Sequence, residues 1–174
     1  RGLGKKIVNP MEKKRKTPID FCYVIDGHKS YPLNQFLEEE EYEQKFCGIV
    51  NIPNTRDTFA LFYDIFSHLC FSEKVKEEER EHWKESRKER GEPMGLGYKG
   101  ILVDGSSSLR SSSVPKEENS KCVFSYNKDS YTQHCKAHRE YWEWVEKRNE
   151  QRYQVAEKAS YDAKNLMHCY RLAE

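Results

Sequence analysis

The chain has 174 residues and a net charge of +1, with 34% charged, 36% hydrophobic and 13% aromatic residues. This composition is polar for a globular protein, but so many aromatic residues exclude a wholly disordered chain and predict a folded, modest core. No run approaches the roughly 20 apolar residues that span a bilayer, so we expect no membrane partner.

The first seventeen residues form a basic lead-in segment, and the residues 18–174 are predicted to form a single domain. The lysines and arginines of this segment are opposed only by Glu12. Asn9-Pro10 and Thr17-Pro18 disfavour regular structure there. Two interpretations are open: the block contacts phosphates, or it is a solvated approach to the domain.

Short strands and one helix are predicted between residues 19 and 66. The residues 19–25 are rich in β-formers and end at the turn signal Asp26-Gly27. Pro32 stands where a helix would begin. The residues 47–53 are predicted to be extended. The residues 58–66 suit either a buried strand or a helix, and their aromatic content favours a strand.

The residues 72–90 are predicted to form an exposed, charged helix. Only Val75 and Trp83 offer this helix apolar surface to bury, and Gly91 and Pro93 are expected to end it. A solvated projection without a direct role is the plain interpretation. Four opposite-charge pairs at i, i+3, each contributing about 0.2–0.5 kcal/mol, are Glu73/Lys76, Glu77/Arg80, Glu81/Lys84 and Glu85/Lys88.

The remaining elements alternate between strand, loop and helix. The residues 98–104 and 122–126 are predicted to be strands, and Gly105 begins a serine-rich loop between them. The residues 127–148 carry an apolar stripe that is typical of a helix, and a last helix begins at about Asp162. Short strands packed with several helices predict an α+β fold.

The last helix carries the most suggestive set of side chains. Lys164, His168 and Arg171 lie at i, i+4 and i+7 and therefore on one stripe. Lys164 occupies the first turn, where the helix dipole disfavours a cation unless an anion such as a triphosphate binds there. An ordinary solvated basic face is the alternative. The other sides are predicted to supply core contacts through Leu166, Cys169, Tyr170 and Ala173.

Three further side chains are candidates for phosphate binding. Ser113 and Lys116 belong to a serine-rich region that lacks the GxxxxGK[ST] pattern, so they either contact phosphate or lie in a flexible loop. Arg56, with Asp57 and Asp64, brackets an apolar run. These residues either form a buried ion pair that holds a turn or contact a substrate.

The sequence contains little that indicates a metal site. The D-x-D carboxylate pair needed for two-metal nucleotidyl transfer does not occur in the sequence. His134 and His138, with Cys135 between them, are either zinc ligands or a core histidine beside a surface one. The six cysteines are scattered without a CxxC pair, which favours a reducing, cytoplasmic location.

Several short segments of the sequence resemble motifs that occur together in one known family. The residues 161–172 follow the pattern Y-D-x-K-x-x-x-H-x-x-R-L. Further phrases lie at 9–18, 20–24, 47–50, 52–57, 62–64, 109–110, 112–116, 126–129 and 141–149. Together they resemble predicted nucleotidyltransferases of the DNA polymerase β superfamily from bacteria and bacteriophages. The resemblance covers most of the chain except the charged helix at 72–90.

This resemblance implies the C-terminal part of a polymerase-β-type nucleotidyltransferase, related to those associated with RNA repair. Such proteins transfer a nucleotide from an NTP to an acceptor, here with RNA as the candidate, by a two-metal mechanism. Lys164, His168 and Arg171 would face the nucleotide. The family's Gly-Ser motif and D-x-D pair are not in this sequence. We therefore expect carboxylates ahead of Arg1 to hold Mg²⁺, and this portion alone to be inactive.

A second hypothesis comes from a different class of function. The chain would be a non-catalytic RNA-binding or protein-interaction module, in which the basic residues 13–16 meet phosphates. Trp142 and Trp144 would stack on bases in that case, although aromatic residues at this spacing also suit a core.

Overall fold

The computed structural model describes residues 9–159 and 163–173, which belong to two compact units. Residues 16–133 form the first, here called the sheet unit. The second, called the helical unit, combines the segment that ends at Arg15 with the chain from His134 onward. The α+β class predicted from the sequence is confirmed. The prediction of one domain over 18–174 behind a lead-in segment stays a prediction.

The sheet unit is built on a five-stranded antiparallel sheet with the order β2-β1-β5-β4-β3. Because β1 and β5 are neighbours, the unit begins and ends side by side, with Cys22 paired to Tyr126. The strands are β1 (Cys22–Asp26), β2 (Lys29–Pro32), β3 (Cys47–Asn51), β4 (Thr58–Tyr63) and β5 (Cys122–Tyr126).

Three α-helices precede β5 along the chain, and three more follow it within the described residues. Pro32 precedes the first helix, as predicted from its φ preference. The helices are α1 (Leu33–Glu39), α2 (Ile65–Phe71), α3 (Glu77–Glu89), α4 (Lys128–Lys147), α5 (Glu150–Ala159) and α6 (Ala163–Ala173).

One face of the sheet forms the core of the sheet unit. Along β4 every second side chain is buried, including Phe59 and Leu61, which is the period-two pattern of a strand with one covered face. Ile49 on β3 and Phe124 on β5 are paired with these residues and are buried as well. Leu33 of α1 is also fully buried.

The strand predicted over 98–104 is wrong. Leu102 makes an isolated bridge to Leu109, and the rest of this segment is irregular. Gly100 has a φ of +75°, which an extended strand does not accommodate. The Tyr98 ring instead lies against Gly48 of β3, where a Cβ would come within 2.8 Å of the ring.

The two edges of the sheet differ. On the β3 side, the Ser112 N–H donates to the Ile49 carbonyl at 2.8 Å, so the loop after residue 98 occupies part of that edge. On the other side, β2 is short and carries Lys29 and Pro32. Both residue types discourage another strand from pairing there.

The charged helix is shorter than predicted. It begins at Glu77 rather than near residue 72, because Ser72 is fully buried and bonded elsewhere. Its buried residue is Arg87, a charged side chain in a helix that was predicted to be exposed. Of the four predicted charge pairs, only Glu81–Lys84, at 2.7 Å, forms within the described residues.

The helix α5 was not predicted. Its stretch has little apolar periodicity of its own, and its Tyr153 packs edge-on against Trp144 of α4 at 5.4 Å. The Arg148 guanidinium lies 3.8 Å from the Tyr153 ring centroid. This helix is therefore stabilised by contacts with α4 rather than by a repeat within itself.

Candidate functional site

The predicted cationic stripe lies on α6. The helix Ala163–Ala173 includes all three residues, so their spacing places them along one side. The side chains of His168 and Arg171 are exposed, and Lys164 lies in the first turn. The Lys164 side chain is outside the described part. The assignment of these residues to a phosphate site stays a prediction.

The other sides of α6 differ from the prediction that they supply core contacts. Tyr170 is 68% exposed and Cys169 is also exposed. Met167 and Leu172 are exposed as well. A helical repeat of apolar residues indicates which side could be buried, but another element must cover that side before burial occurs. The side chains of Leu166 and Ala173 lie outside the described part.

Arg56 lies on the turn between β3 and β4 and does not form the buried ion pair that was one of its two interpretations. Its side chain is 86% exposed, and its Nε lies 3.6 Å from an oxygen of the adjacent Asp57. Asp64 is fully buried and bonded elsewhere. Contact between Arg56 and a substrate stays a prediction.

Ser113 and Lys116 are both exposed on the loop that follows Ser112. They belong to the sheet unit, as does Arg56, whereas the stripe of α6 belongs to the helical unit. The described contacts of Arg56, Ser113 and Lys116 include none with one another. Their role in phosphate binding also stays a prediction.

A polar network that the sequence analysis missed lies where α2 meets the start of β3. The Ser72 hydroxyl donates to Glu43 Oε1, and Lys45 Nζ lies 2.9 Å from Glu43 Oε2. His68 Nδ1 lies 3.4 Å from Glu43 Oε1 and 2.7 Å from the Tyr63 hydroxyl. The network joins two separate stretches of the chain, residues 43–45 and residues 63–72. No local pattern could have found the network.

The electrostatics of this network favour an ionised Glu43. Burial raises the pKa of Glu43, but hydrogen bonds from Ser72 and Lys45 outweigh burial and leave the pKa below its ordinary value. Burial raises the pKa of Tyr63 to about 12, so its hydroxyl stays protonated. The network therefore holds one carboxylate anion among donors at neutral pH.

Asp64 forms a second polar centre, at the start of α2. Its Oδ1 accepts the Ser67 N–H at 3.0 Å, and its Oδ2 accepts the Ser67 hydroxyl at 2.6 Å. The same Oδ2 accepts the N–H groups of Leu96 and Gly97 at 2.5 and 3.2 Å. A Cβ at Gly95 would come within 1.8 Å of Ser67 Oγ. The carboxylate thus fastens the 95–97 loop to α2.

Three cysteines of the sheet unit are poor nucleophiles. Burial raises the pKa values of Cys22, Cys47 and Cys122 to about 12. Thiols in such surroundings are protonated at neutral pH and react slowly.

In the helical unit, the two tryptophans pack against neighbouring rings. Trp142 lies edge-on to Tyr141 at 5.3 Å, and its Nε1 lies 3.2 Å from His138 Nε2. His138 Nε2 also lies 3.1 Å from the Glu12 carbonyl oxygen. Trp144 has the Arg148 guanidinium 5.2 Å from its ring centroid. Stacking on bases would compete with these contacts.

Neither a metal cluster nor a membrane-spanning helix is found in the described ranges. Within 9–159 and 163–173, no three His, Cys, Asp or Glu side chains come together in a group that could hold a metal ion. The described helices include none with the length and apolarity needed to cross a membrane.

Comparison with known proteins supplies no family for this chain. No family model, no curated protein and no solved structure matches it.

Proposed function

We propose that this chain is the C-terminal portion of a polymerase-β-type nucleotidyltransferase and that α6 binds the phosphates of its NTP. The observation that carries the proposal is the pattern Y-D-x-K-x-x-x-H-x-x-R-L at 161–172. In support, the cationic residues of this pattern share one side of a helix on which His168 and Arg171 are exposed.

The three side chains suit a polyphosphate in different ways. The Arg171 guanidinium presents a planar fork that bonds two phosphate oxygens at once, and Lys164 acts as a compact point charge. A phosphate beside His168 would favour its protonated form. Because the sequence has no D-x-D pair, the proposed role of this chain is to hold and orient the nucleotide. Mg²⁺ would be held by carboxylates outside the sequence.

The site is tested by titrating the chain with each of the four NTPs in the presence of Mg²⁺. Lys164→Ala should weaken binding roughly tenfold, which corresponds to about 1.4 kcal/mol. Lys158→Ala removes an exposed lysine of α5 outside the stripe and serves as the matched control. Equal affinities for the two variants, or no NTP binding by the wild-type chain, would contradict the assignment of α6.

The reaction is tested separately, with α-labelled NTPs and an RNA acceptor. The assay uses the longest form of the protein that cells produce, because the proposal places the metal-binding carboxylates outside these residues. Label that enters RNA and depends on Mg²⁺ supports nucleotidyl transfer. If α6 binds NTP but no label is transferred to RNA, the result would indicate a nucleotide-binding module rather than an enzyme.

A second candidate function is RNA binding through the basic segment. Its support is the exposure of Lys13, Lys14 and Arg15. Affinity for single-stranded RNA should fall steeply as salt rises, and neutralising the residues 13–16 should flatten that dependence. Absence of binding at low salt would remove this candidate.

A further inference from the structure

An open groove lies in the sheet unit beside α1. Its volume is about 320 Å³, near the lower end of the roughly 300–1,000 Å³ of small-molecule sites. Tyr42 and Leu102 give it apolar surface, and Asn34, Gln44 and Lys74 add polar groups. All of these residues belong to one compact unit.

Two of the polar side chains are held in place by hydrogen bonds. With its oxygen turned toward the loop, the Gln44 carboxamide accepts the N–H groups of Ile101 and Leu102 at 2.8 and 3.0 Å. The Asn34 Nδ2 donates to Asp20 Oδ1 at 2.8 Å. In each carboxamide the other polar atom has no hydrogen-bond partner within the described part. Groups held in advance reduce the entropy lost when a ligand binds.

The charged side chains that line the groove have no ion-pair partner among the described residues. The Lys74 N–H donates to Ser72 Oγ at 3.1 Å, which anchors the backbone beside the Glu43 network. Neither the Lys74 ammonium nor the Glu38 carboxylate, which also lines the groove, takes part in an ion pair with any described residue. The groove therefore offers a cation, a carboxylate, two carboxamides and aromatic surface to one ligand.

We propose that this groove binds a nucleotide, either free or as one residue of a single-stranded RNA. A base would lie on the Tyr42 and Leu102 surface, and carboxamides supply both a donor and an acceptor for its edge. Lys74 would meet the phosphate, and Glu38 would accept a ribose hydroxyl. A simple anion would leave the aromatic surface unused. An apolar ligand would desolvate Lys74 without giving it a partner.

This proposal goes beyond the α6 site and does not rest on it. The groove belongs to the sheet unit and α6 to the helical unit, so each can fail without the other.

The test is a calorimetric titration of the full chain with UMP, CMP, AMP and GMP, with the corresponding nucleosides, and with a pentauridylate. Lys74→Met keeps the aliphatic stem and removes the charge. This substitution should weaken the binding of the monophosphates roughly tenfold and should change the binding of the nucleosides little. Lys88→Met removes an exposed lysine of α3 that does not line the groove and should change nothing. Leu102→Trp fills the groove and should abolish both kinds of binding.

The outcomes separate the two sources of the ligand. Pentauridylate that binds at least tenfold more tightly than UMP, with the same dependence on Lys74, identifies an RNA strand. Equal affinities identify a free nucleotide. Absence of saturable binding up to about 10 mM overturns the proposal, as does equal weakening by Lys74→Met and Lys88→Met. If Leu102→Trp does not fold, the comparison of Lys74→Met with Lys88→Met still tests the proposal.

Discussion

Asp64 has the most demanding environment among the residues described. It is fully buried as a carboxylate, yet two N–H groups of the 95–97 loop, with the Ser67 N–H and hydroxyl, satisfy its oxygens. A buried charge is tolerated only when its hydrogen bonds are made this completely. The residue therefore links a helix start to a loop about thirty positions later in the chain.

Asp64→Asn should destabilise the chain by about 2–4 kcal/mol, because an amide turns a donor toward N–H groups that then lose their acceptor. Urea unfolding followed by circular dichroism measures the change. The control is Asp57→Asn, at a half-buried position of the turn before β4 with a φ of +53° that asparagine accepts. It should change stability by less than about 0.5 kcal/mol. Similar effects of the two substitutions would contradict this account of Asp64.

Glu43 predicts a dependence of stability on pH. Its pKa is lower in the folded chain than in the unfolded chain, so it contributes stability above the unfolded value of 4.5. That contribution is lost as the pH falls through the folded pKa. Glu43→Gln should therefore lower the free energy of unfolding at pH 7 by roughly 1–3 kcal/mol. The difference from the wild type should shrink below pH 4.5.

The measurement for Glu43 is denaturant unfolding of both chains at several pH values from 7 to about 3. Glu39→Gln, at an exposed position of α1, is the control. If the difference in stability between the wild type and Glu43→Gln stays constant over this range, the charge of Glu43 contributes nothing.

At the scale of elements, Arg87 is the buried side chain of α3 and joins this helix to its neighbours in the sheet unit. The Arg87 guanidinium lies 3.9 Å from the Phe66 ring centroid on α2. Its Nε donates to the Pro93 carbonyl at 2.6 Å, and its Nη1 lies 3.3 Å from Glu92. The planar cation thus joins α3 to α2 and to the loop that follows α3.

Arg87→Ala should release α3 from α2, because a helix with so little apolar surface has few other contacts to keep it in place. Hydrogen exchange followed by mass spectrometry should show faster exchange over 77–89, while β3–β5 keep their protection. Lys88→Ala removes the neighbouring exposed cation and should leave the exchange unchanged. Unchanged exchange in Arg87→Ala would mean that α3 is held by other contacts.

Local sequence patterns predict those elements of this fold whose cause is local. The aromatic content of β4, the proline before α1 and the apolar stripe of α4 are all present in the sequence itself. The predicted strand over 98–104 fails because Gly100 adopts a positive φ and Tyr98 packs on Gly48. The glycine was visible in the sequence, but its partner across the fold was not.

The candidate sites follow the same division. The stripe of α6 follows from the helical spacing of its residues and can therefore be predicted from the sequence. The Glu43 network joins residues of different elements, and the groove depends on a carboxamide that bonds the 101–102 backbone. Such arrangements are set by tertiary packing, which no periodicity in one chain reveals.

At the scale of the whole molecule, the sheet unit has both of its ends in one place. β1 and β5 are paired, and the Asn127 N–H donates to the Phe21 carbonyl at 2.9 Å. The chain leaves the helical unit before residue 16 and returns to it after residue 133. Adjacent ends are what a domain inserted into another chain requires.

Such an insertion should unfold independently of the helical unit. Ile49→Ala empties a fully buried position of β3 and should cost about 2–4 kcal/mol. In hydrogen exchange, β3, β4 and β5 should lose protection while α5 keeps its own. Val50→Ala, at a more exposed position of the same strand, is the control. Equal loss of protection in α5 would mean that the chain unfolds as one body.

The two edges of the sheet bear on how copies of this chain behave when crowded. Ser112 takes up the Ile49 carbonyl on one side, while a proline and a lysine lie in the short strand on the other. An open β-edge can pair with strands of further chains and so lead to aggregation. In this unit, both edges of the sheet disfavour such pairing. Conditions that detach the loop around Ser112 should therefore provoke fibrils or amorphous precipitate before the core itself melts.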